Sequence, residues 1–205
     1  MSYLALAAAS VPTDWRSLLE ELYQGRNVMT VKGGQFITMK TTDVFIVCRG
    51  VVQLSTLYPS GDEGLLGLAC PSMPFGMPFS QLNPYEAIAL TEVVLMRVHI
   101  MEVEQSPRLA QGLFRELMRR LQQTEALLAI AGYRRVDDRL RQLLYLLRQD
   151  LGQATAKGTR LSTRLTHQQL ASLIGTTRVT VTRLLKEFKA EGWVSSDAQR
   201  HLCFS

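Results

Sequence analysis

Apolar and polar residues follow different periods along this chain, and each period predicts a different kind of element. Between residues 28 and 98, short β-prone runs are separated by glycine, proline and polar turns such as Gly33-Gly34 and Asn83-Pro84. This spacing predicts a compact barrel or sandwich. A short helix over Thr13–Gln24, with apolar residues at helical spacing, precedes it. The predicted strands are Val28–Val31, Gln35–Met39, Val44–Cys48, Val51–Leu57, Leu65–Ala69, Ala87–Leu90 and Val93–Val98.

A heptad pattern follows over residues 106–132. Ser106 is placed to cap a helix that has Pro107 at its first position, and Gly132 ends it. Between them, apolar or small residues recur at alternating steps of four and three, which is the seam of a coiled coil. The pattern favours a dimerisation helix, and the alternative is a stripe that packs on the barrel of its own chain. The seam residues are Ala110, Phe114, Leu117, Leu121, Thr124, Leu128 and Ala131.

The last third of the chain changes to helical periods with a short β ribbon at its end. A helix capped by Asp137 is predicted first, followed by a loop over Gln153–Gly158 and a strand over Arg160–Leu165. Strands over Trp193–Ser195 and His201–Phe204 are predicted after a helix pair. Helices followed by a two-stranded ribbon are typical of a winged helix. Arg200 on the wing is either a phosphate contact or a solvated surface arginine.

The helix pair lies within residues 165–194 and carries the strongest local signals. Thr166 with Gln169 has the spacing of a capping box. Gly175 stands where the chain turns, because glycine tolerates a left-handed backbone conformation. Thr177 is placed to cap a second helix that ends near Gly192. Together these residues predict a helix-turn-helix.

The second helix of this pair separates its residues by face. One face is apolar and is predicted to be buried, with Val181, Leu184, Leu185 and Phe188. The opposite face carries arginines, a threonine, a lysine and an exposed valine. Arginine can bind guanine O6 and N7, and a small apolar side chain can contact a thymine methyl group, so this face suits the major groove of DNA. The alternative is an amphipathic helix pair in an all-helical core. The polar-face residues are Arg178, Val179, Thr182, Arg183 and Lys186.

Charge is distributed unevenly in a way that supports a polyanion as partner. Residues 134–205 hold 13 Lys and Arg against 6 Asp and Glu, whereas residues 1–133 hold 10 against 12. No apolar run approaches the roughly 20 residues that span a bilayer. The three cysteines form no CxxC pair, and their odd number argues against a disulfide framework. We therefore expect a cytoplasmic protein without a membrane anchor.

Signals for catalysis and for metal binding are weak. Of the three histidines, only His99 falls in the barrel region, too few for a histidine metal cluster. The chain has no G-x-S-x-G and no P-loop pattern. We therefore expect neither an enzyme nor a metal site. A different possibility stays open: a small-molecule-binding barrel, or an enzyme, whose basic domain serves protein contacts.

The order of barrel, long helix and winged helix resembles the CRP/FNR family of bacterial transcription regulators. The resemblance implies an α+β fold: a jelly-roll sensor (double-stranded β-helix) over 1–105, a dimerisation helix over 106–132 and a winged helix-turn-helix over 133–205. It also implies a homodimer on a palindromic DNA site and RNA polymerase as a partner. Residues 175–185 resemble the recognition helix of cyanobacterial nitrogen-control regulators more than that of the catabolite activator, which has a glutamate at the position of Val179. That similarity implies GTA/TAC half-sites.

The same resemblance assigns roles to individual residues of the helix pair. Those that read bases would be Arg178, Val179 and Arg183. Those that contact phosphates would be Thr166, His167, Gln168, Thr177, Thr180 and Lys186.

The sensor matches its relatives only in part. Cyclic-nucleotide-binding relatives carry an arginine in the segment that corresponds to residues 75–87, and this chain has none there, so we do not expect cyclic AMP as a ligand. In the nitrogen-control regulators the effector is 2-oxoglutarate. Half of that site is present, whereas Asn83 replaces its carboxylate-binding arginine and Pro78 lacks a backbone N–H. The alternatives are 2-oxoglutarate, another small metabolite, or a vestigial sensor in an effector-independent DNA binder. The matching positions are Phe75, Gly76, Met77, Arg120 and Glu125.

Overall fold

Most of the strands lie in the first half of the chain, and most of the helical residues lie in the second. The computed structural model describes residues 13–26, 28–61, 63–156 and 158–205. The chain divides into two compact units, one that ends at Glu125 and one that begins at Ala126, here called the barrel unit and the C-terminal unit. The architecture is α+β, as predicted.

Two antiparallel sheets form the barrel unit. The first has strand order β1-β7-β2-β5, and the second has order β4-β3-β6. Six of the seven predicted strands are confirmed, with ends that differ by at most two residues. The strands are β1 (Val28–Val31), β2 (Asp43–Arg49), β3 (Val52–Leu57), β4 (Glu63–Ala69), β5 (Pro74–Phe75), β6 (Glu86–Ala89) and β7 (Val93–His99).

The strand predicted over Gln35–Met39 was wrong. The segment follows β6 through backbone hydrogen bonds, but only Phe36 and Ile88 form a bridge of regular ladder geometry. The left-handed conformation of Gly34 (φ 85°) bends the chain just before it. The β-prone run therefore lies in an irregular segment beside β6 and not in a strand.

Helices pack against residues of the first sheet. The helices of this unit are α1 (Thr13–Gln24), α2 (Ile100–Gln105) and α3 (Pro107–Ala131), and a 3-10 turn spans Met77–Phe79. Trp15 of α1 packs with Leu113 of α3 and with Ile46 and Met96 of the sheet. Gly112 makes this approach possible, because a Cβ atom there would lie 2.0 Å from the indole ring of Trp15.

The long helix α3 begins as predicted. The Ser106 hydroxyl accepts a hydrogen bond from the N–H of Leu109 at 3.3 Å, and Pro107 is the first helical residue. The short helix α2 was not predicted. It is capped by His99, whose ring nitrogen accepts from the N–H of Met101. Among the described residues, none of the helices combines the length and apolar character that crossing a membrane requires.

The C-terminal unit begins with the end of α3 and continues with α4 (Val136–Leu151). The prediction that Asp137 caps α4 was wrong. The cap residue is Arg135, and Asp137 lies in the first turn, where its carboxylate binds the Arg135 guanidinium at 2.8 Å. An acidic residue in the first turn still stabilises the helix through the helix dipole. The predicted leucine face of α4 is buried: Leu140, Leu143, Leu144, Leu147 and Leu151.

A four-stranded sheet with order β10-β11-β9-β8 completes this unit. The loop predicted over Gln153–Gly158 was wrong, because most of it belongs to a hairpin of β8 and β9. The four residues of β8 are all exposed, so this edge strand carries no apolar alternation that a sequence pattern could detect. The strand predicted over Arg160–Leu165 begins earlier and ends at Leu161. The strands are β8 (Gly152–Thr155), β9 (Gly158–Leu161), β10 (Val194–Ser196) and β11 (Leu202–Phe204).

Candidate nucleic-acid interface

Two short helices, α5 (His167–Leu173) and α6 (Arg178–Ala190), form the predicted helix-turn-helix. At the start of α5 the Thr166 hydroxyl accepts from the N–H of Gln169 at 3.2 Å, and the Gln169 side chain accepts from the N–H of Thr166 at 2.7 Å. This is a complete capping box. The predicted cap is therefore confirmed.

The turn between the helices is held by a residue that the sequence pattern did not reveal. Gly175 adopts the left-handed conformation (φ 61°), as predicted. Arg139 of α4 donates from Nε to the carbonyl of Ile174 at 3.1 Å and from Nη1 to the carbonyl of Tyr133 at 3.1 Å. It thereby satisfies a carbonyl at the end of α5 and ties the turn to α4. A single arginine beside an apolar helix stripe gave no signal of this role.

The start of α6 is capped by Thr177. Its hydroxyl accepts from the N–H of Thr180 at 3.2 Å and lies 2.9 Å from the Thr180 hydroxyl. Both hydroxyls thus lie at the N-terminal end of α6, where the helix dipole favours a negatively charged ligand.

The two faces of α6 are separated as predicted. The apolar face is fully buried, with Val181, Leu184, Leu185 and Phe188. On the opposite face Val179 is 79% exposed, although valine is among the residues most often buried. The predicted polar-face residues Arg178, Thr182, Arg183 and Lys186 are exposed too. The helix therefore presents two arginines around one apolar side chain.

One of the two arginines is paired within the helix. Arg183 donates from Nη1 to the carboxylate of Glu187, one turn further on, at 2.6 Å. Both side chains are at least half exposed, so the pair is weak and solvent-screened. A partner that offers Arg183 a bidentate acceptor can displace Glu187 at small cost.

The N-terminal end of α5 contacts the exposed face of α6 through His167. The Nδ1 atom of His167 lies 2.8 Å from the Thr182 hydroxyl oxygen, and that hydroxyl donates to the carbonyl of Arg178 at 2.9 Å. Since the single hydroxyl proton of Thr182 is used there, Nδ1–H of His167 is the donor. Burial lowers the pKa of the imidazole below its ordinary value, and the positive charges of Lys189 and Arg178 lower it further.

A pH dependence of stability follows from this lowered pKa. The fold favours the neutral imidazole of His167. The stability that this preference contributes is fully present above the ordinary pKa of about 6.5, and it is lost as the pH falls through the lower pKa of the folded state. We expect the denaturation midpoint to decrease over that acid range in the wild-type chain. In His167→Gln the decrease should be smaller, as measured by urea unfolding at a series of pH values. Equal pH slopes in the two proteins would contradict the assignment.

The wing is the β10–β11 hairpin, and it is tied to β9. Arg160 donates from Nε to the Asp197 carboxylate at 2.6 Å, and the other Asp197 oxygen accepts from the N–H of His201 at 2.8 Å. Arg200 lies exposed at the tip in a left-handed conformation (φ 65°). Trp193 at the base packs edge-on against Phe188 of α6, with ring centroids 5.3 Å apart. The wing thus has a defined position beside α6.

The residues predicted to contact phosphates fall into two groups within this unit. Thr166, His167 and Gln168 lie at the N-terminal end of α5, and Thr177 and Thr180 lie at that of α6. The His167–Thr182 contact joins the two ends. The side chain of Lys186 is exposed two turns further along α6.

The residues predicted for an effector site lie in the barrel unit and only partly meet. Phe75 is buried and its ring stacks on Phe45. A Cβ atom at Gly76 (φ 147°) would lie 2.3 Å from the carbonyl oxygen of Asp43, so only glycine fits there. Arg120 reaches this segment by donating from Nη1 to the carbonyl of Pro74 at 3.1 Å. Met77 begins the 3-10 turn, whereas Glu125 is exposed on α3.

Comparisons of the sequence with known proteins agree on one class of protein. Residues 138–204 match the model of the Crp-like helix-turn-helix domain. The chain is 35% identical over 162 residues to the global nitrogen regulator of Nostoc sp. strain PCC 7120, a match that covers 74% of this chain and 72% of the relative. It is 40% identical over 152 residues to the regulatory protein CysR of Synechococcus elongatus, with 73% and 70% covered.

Solved structures share the fold. A CRP-family transcriptional regulator from Thermus thermophilus aligns with a TM-score of 0.67 and 20% identity over 86% of this chain and 92% of that chain. FixK2 from Bradyrhizobium japonicum aligns with a TM-score of 0.72 and 17% identity over 87% and 91%. These likenesses support the predicted arrangement of a barrel with a C-terminal helix-turn-helix.

Proposed function

The chain belongs to the CRP/FNR family of DNA-binding transcription regulators, and we propose that it acts as a homodimer on a palindromic DNA site. The observation that carries the proposal is the exposed face of α6, where Val179 is 79% exposed between two arginines. Such a face has no role in the core of its own unit. The relatives that it matches are transcription regulators and not enzymes.

The chemistry of this face suits direct reading of bases. Arg178 and Arg183 carry planar guanidinium groups that can bind guanine O6 and N7 with two hydrogen bonds. Val179, without a polar atom on its side chain, suits contact with a thymine methyl group. A guanine and a thymine side by side are what a GTA half-site and its TAC complement offer. We therefore propose that Arg178, Val179 and Arg183 read such half-sites.

The ends of α5 and α6 suit phosphate binding. The first backbone N–H groups of each helix have no partner within the helix and bind anions readily. Hydroxyls at Thr166, Thr177 and Thr180, the amide of Gln168 and the imidazole of His167 stand at these ends. We propose that they fix the register of the chain on the duplex, with Lys186 as an additional phosphate contact.

The dimer is proposed from the exposed seam of α3. Phe114 is 63% exposed, Leu121 60% and Leu128 75%, and these three residues are seven positions apart. Met118 is a fourth exposed apolar residue in the same stripe. None of the seven seam residues predicted from the heptad pattern is buried. Contiguous exposed apolar side chains on one helix face usually mark an interface, and a second copy of α3 offers the complementary stripe.

The two-fold axis of such a dimer has a consequence for the DNA site. A dimer that binds a palindrome must present its two α6 helices about 34 Å apart, one turn of the duplex. The operator should therefore contain two GTA/TAC half-sites at that spacing. Once bound there, the regulator acts on transcription through RNA polymerase in this proposal.

We propose that the regulator binds DNA without an effector, and that it needs neither 2-oxoglutarate nor cyclic AMP. The guanidinium of Arg120 is already engaged with the carbonyl of Pro74, and Glu125 faces solvent. The segment beside them contains Asn83 where a carboxylate would require an arginine. Within the half of the site that is present, the arginine therefore already has a protein partner.

Titration of labelled duplexes tests the proposed function. The wild-type chain should prefer a GTA/TAC palindrome to a scrambled duplex, without any added small molecule. Affinity for the palindrome should fall by about three orders of magnitude or more between ~50 and ~200 mM salt, because phosphate contacts release counterions. The control is a duplex of the same length that contains only one half-site, and the chain should bind it much more weakly. Salt-independent binding, or equal affinity for the scrambled duplex, would sink the proposal.

A further inference from the structure

The phenol oxygen of Tyr85 is buried inside the barrel unit beside a cation. Tyr85 is 8% exposed, and its oxygen has no hydrogen-bond partner of standard geometry among the described residues. Burial raises the pKa of the phenol, whereas the guanidinium of Arg120 and the backbone of Gly76 both lower it. Buried polar atoms are nearly always satisfied, so a buried phenol oxygen without a standard hydrogen bond, beside a guanidinium, requires an explanation.

The backbone around Tyr85 is fastened on both sides. The Thr56 hydroxyl of β3 donates to the carbonyl of Pro84 at 2.7 Å. On the other side β6 begins at Glu86, which pairs with Ser55 of β3. These contacts fix the backbone of the chain at Tyr85 and therefore the point from which its side chain extends.

The turn of α3 that carries Arg120 is fastened to the same barrel. Arg120 donates to the carbonyl of Pro74 at 3.1 Å. The buried Gln123 side chain accepts from a backbone N–H of β4 at 2.8 Å, and the Thr124 hydroxyl shares its proton between a β4 carbonyl at 3.3 Å and the carbonyl of Arg120 at 3.0 Å. The residues that make these bonds lie within three positions of Leu121 of the exposed seam. They hold this turn of α3 on the barrel unit, and with it the direction in which Leu121 faces.

We propose that Tyr85 is a built-in occupant of the effector position. Its phenol oxygen, between Arg120 and Gly76, takes the place of the charged end of a soluble effector and keeps α3 in the arrangement that dimerises. This regulation rests on the proposed function, because it describes how the DNA-binding dimer is kept competent. A phenol can accept hydrogen bonds from a guanidinium and from a backbone N–H, as a carboxylate does. Unlike a carboxylate effector, it is part of the chain and is always present.

A small dicarboxylate would have to displace this ring to reach Arg120. An aromatic side chain that leaves a buried position loses a large apolar contact area. In addition, Pro78 in the neighbouring turn has no N–H with which to bind the incoming carboxylate. Binding of 2-oxoglutarate is therefore opposed by the residues that would have to move.

Chemical rescue tests the proposal. Tyr85→Ala leaves a cavity of the shape of a phenol, and apolar cavities of this size can bind small aromatic molecules. We expect Tyr85→Ala to bind the palindrome at least about tenfold more weakly than wild type, since an empty site removes the phenol oxygen beside Arg120. Added p-cresol should restore most of that affinity. The matched control is Tyr58→Ala, which removes an exposed tyrosine of the same unit and should neither lose affinity nor respond to p-cresol.

Tyr85→Phe separates the oxygen from the ring. It fills the cavity, so it should keep the fold by circular dichroism, bind the palindrome less tightly than wild type and show no response to p-cresol. Wild-type affinity in Tyr85→Phe, or in Tyr85→Ala without p-cresol, would overturn the proposal. So would a wild-type protein that needs 2-oxoglutarate to bind DNA.

Calorimetry without DNA distinguishes failure of this inference from failure of the proposed function. Heat from p-cresol with Tyr85→Ala, and none from 2-oxoglutarate with wild type, supports the built-in occupant even if no palindrome is bound. Heat from 2-oxoglutarate with wild type contradicts it. Absence of sequence-specific binding by wild type contradicts the proposed function alone.

Discussion

A chain with Phe114→Glu and Leu121→Glu should be monomeric and should bind the palindrome at least about 100-fold more weakly than wild type. The two carboxylates would face two more across the dimer axis, in the centre of an apolar seam. Without the dimer, the second half-site is no longer reached at the high effective concentration that linkage provides, and such linkage is worth about 10²–10⁴ in affinity. Sedimentation equilibrium and duplex titration measure the two effects separately.

The fold of this double variant should be retained. Both side chains are exposed, so the free energy of unfolding of the monomer should change by no more than about 0.5 kcal/mol for each. The matched control is Arg115→Glu with Gln122→Glu, which places two carboxylates on neighbouring exposed positions of α3 outside the seam. That control should stay dimeric and bind DNA specifically. If it became monomeric to the same extent, general charge repulsion would explain the result and the seam would not.

Arg183→Ala should lower affinity for the GTA/TAC palindrome and leave affinity for random duplex almost unchanged. Loss of a bidentate guanine contact costs about 1–3 kcal/mol in each half-site, and a palindrome contains two. The preference for the palindrome over random sequence should therefore fall by at least about 30-fold. Titration of both duplexes at one salt concentration measures this ratio.

Lys186→Ala is the control for Arg183→Ala, because it removes a cation from the same exposed face of α6. A phosphate contact carries no sequence information, so Lys186→Ala should weaken binding to both duplexes alike and reduce the salt slope. Glu187→Gln provides a further check, since it removes the carboxylate that binds Arg183 and should not weaken specific binding. Equal losses on both duplexes in Arg183→Ala would show that Arg183 does not read bases.

The helix-turn-helix was predictable nearly residue by residue. The Thr166 cap, the Gly175 turn, the Thr177 cap and the buried face of α6 all follow from interactions between residues no more than a few turns apart. The start of α3 and its heptad spacing are local in the same sense. Caps, turns and helical periods depend on residues that are close together in the sequence, so they can be predicted from one sequence.

Elements without an apolar signature were missed. The exposed strand β8 is held by backbone hydrogen bonds to β9, which any residue except proline can make. The sequence pattern therefore predicted a loop there. The two-residue strand β5 is too short to show alternation. Asp137 had the chemistry of a cap but lies two residues past it, because residue type predicts the end of a helix only approximately.

The exposed face of α6 and the seam of α3 follow from residue order alone, whereas the contacts that hold each of them depend on how the chain packs. Arg139 reaches the carbonyl of Ile174, 35 positions away, and Arg120 reaches that of Pro74, 46 positions away. Tyr85 meets Arg120 from a third place in the chain. An arginine can bond to any carbonyl that the fold brings near it, so no local pattern names its partner. For that reason the sequence predicted only part of an effector site, whereas the contact between Tyr85 and Arg120 depends on the packing of the barrel unit.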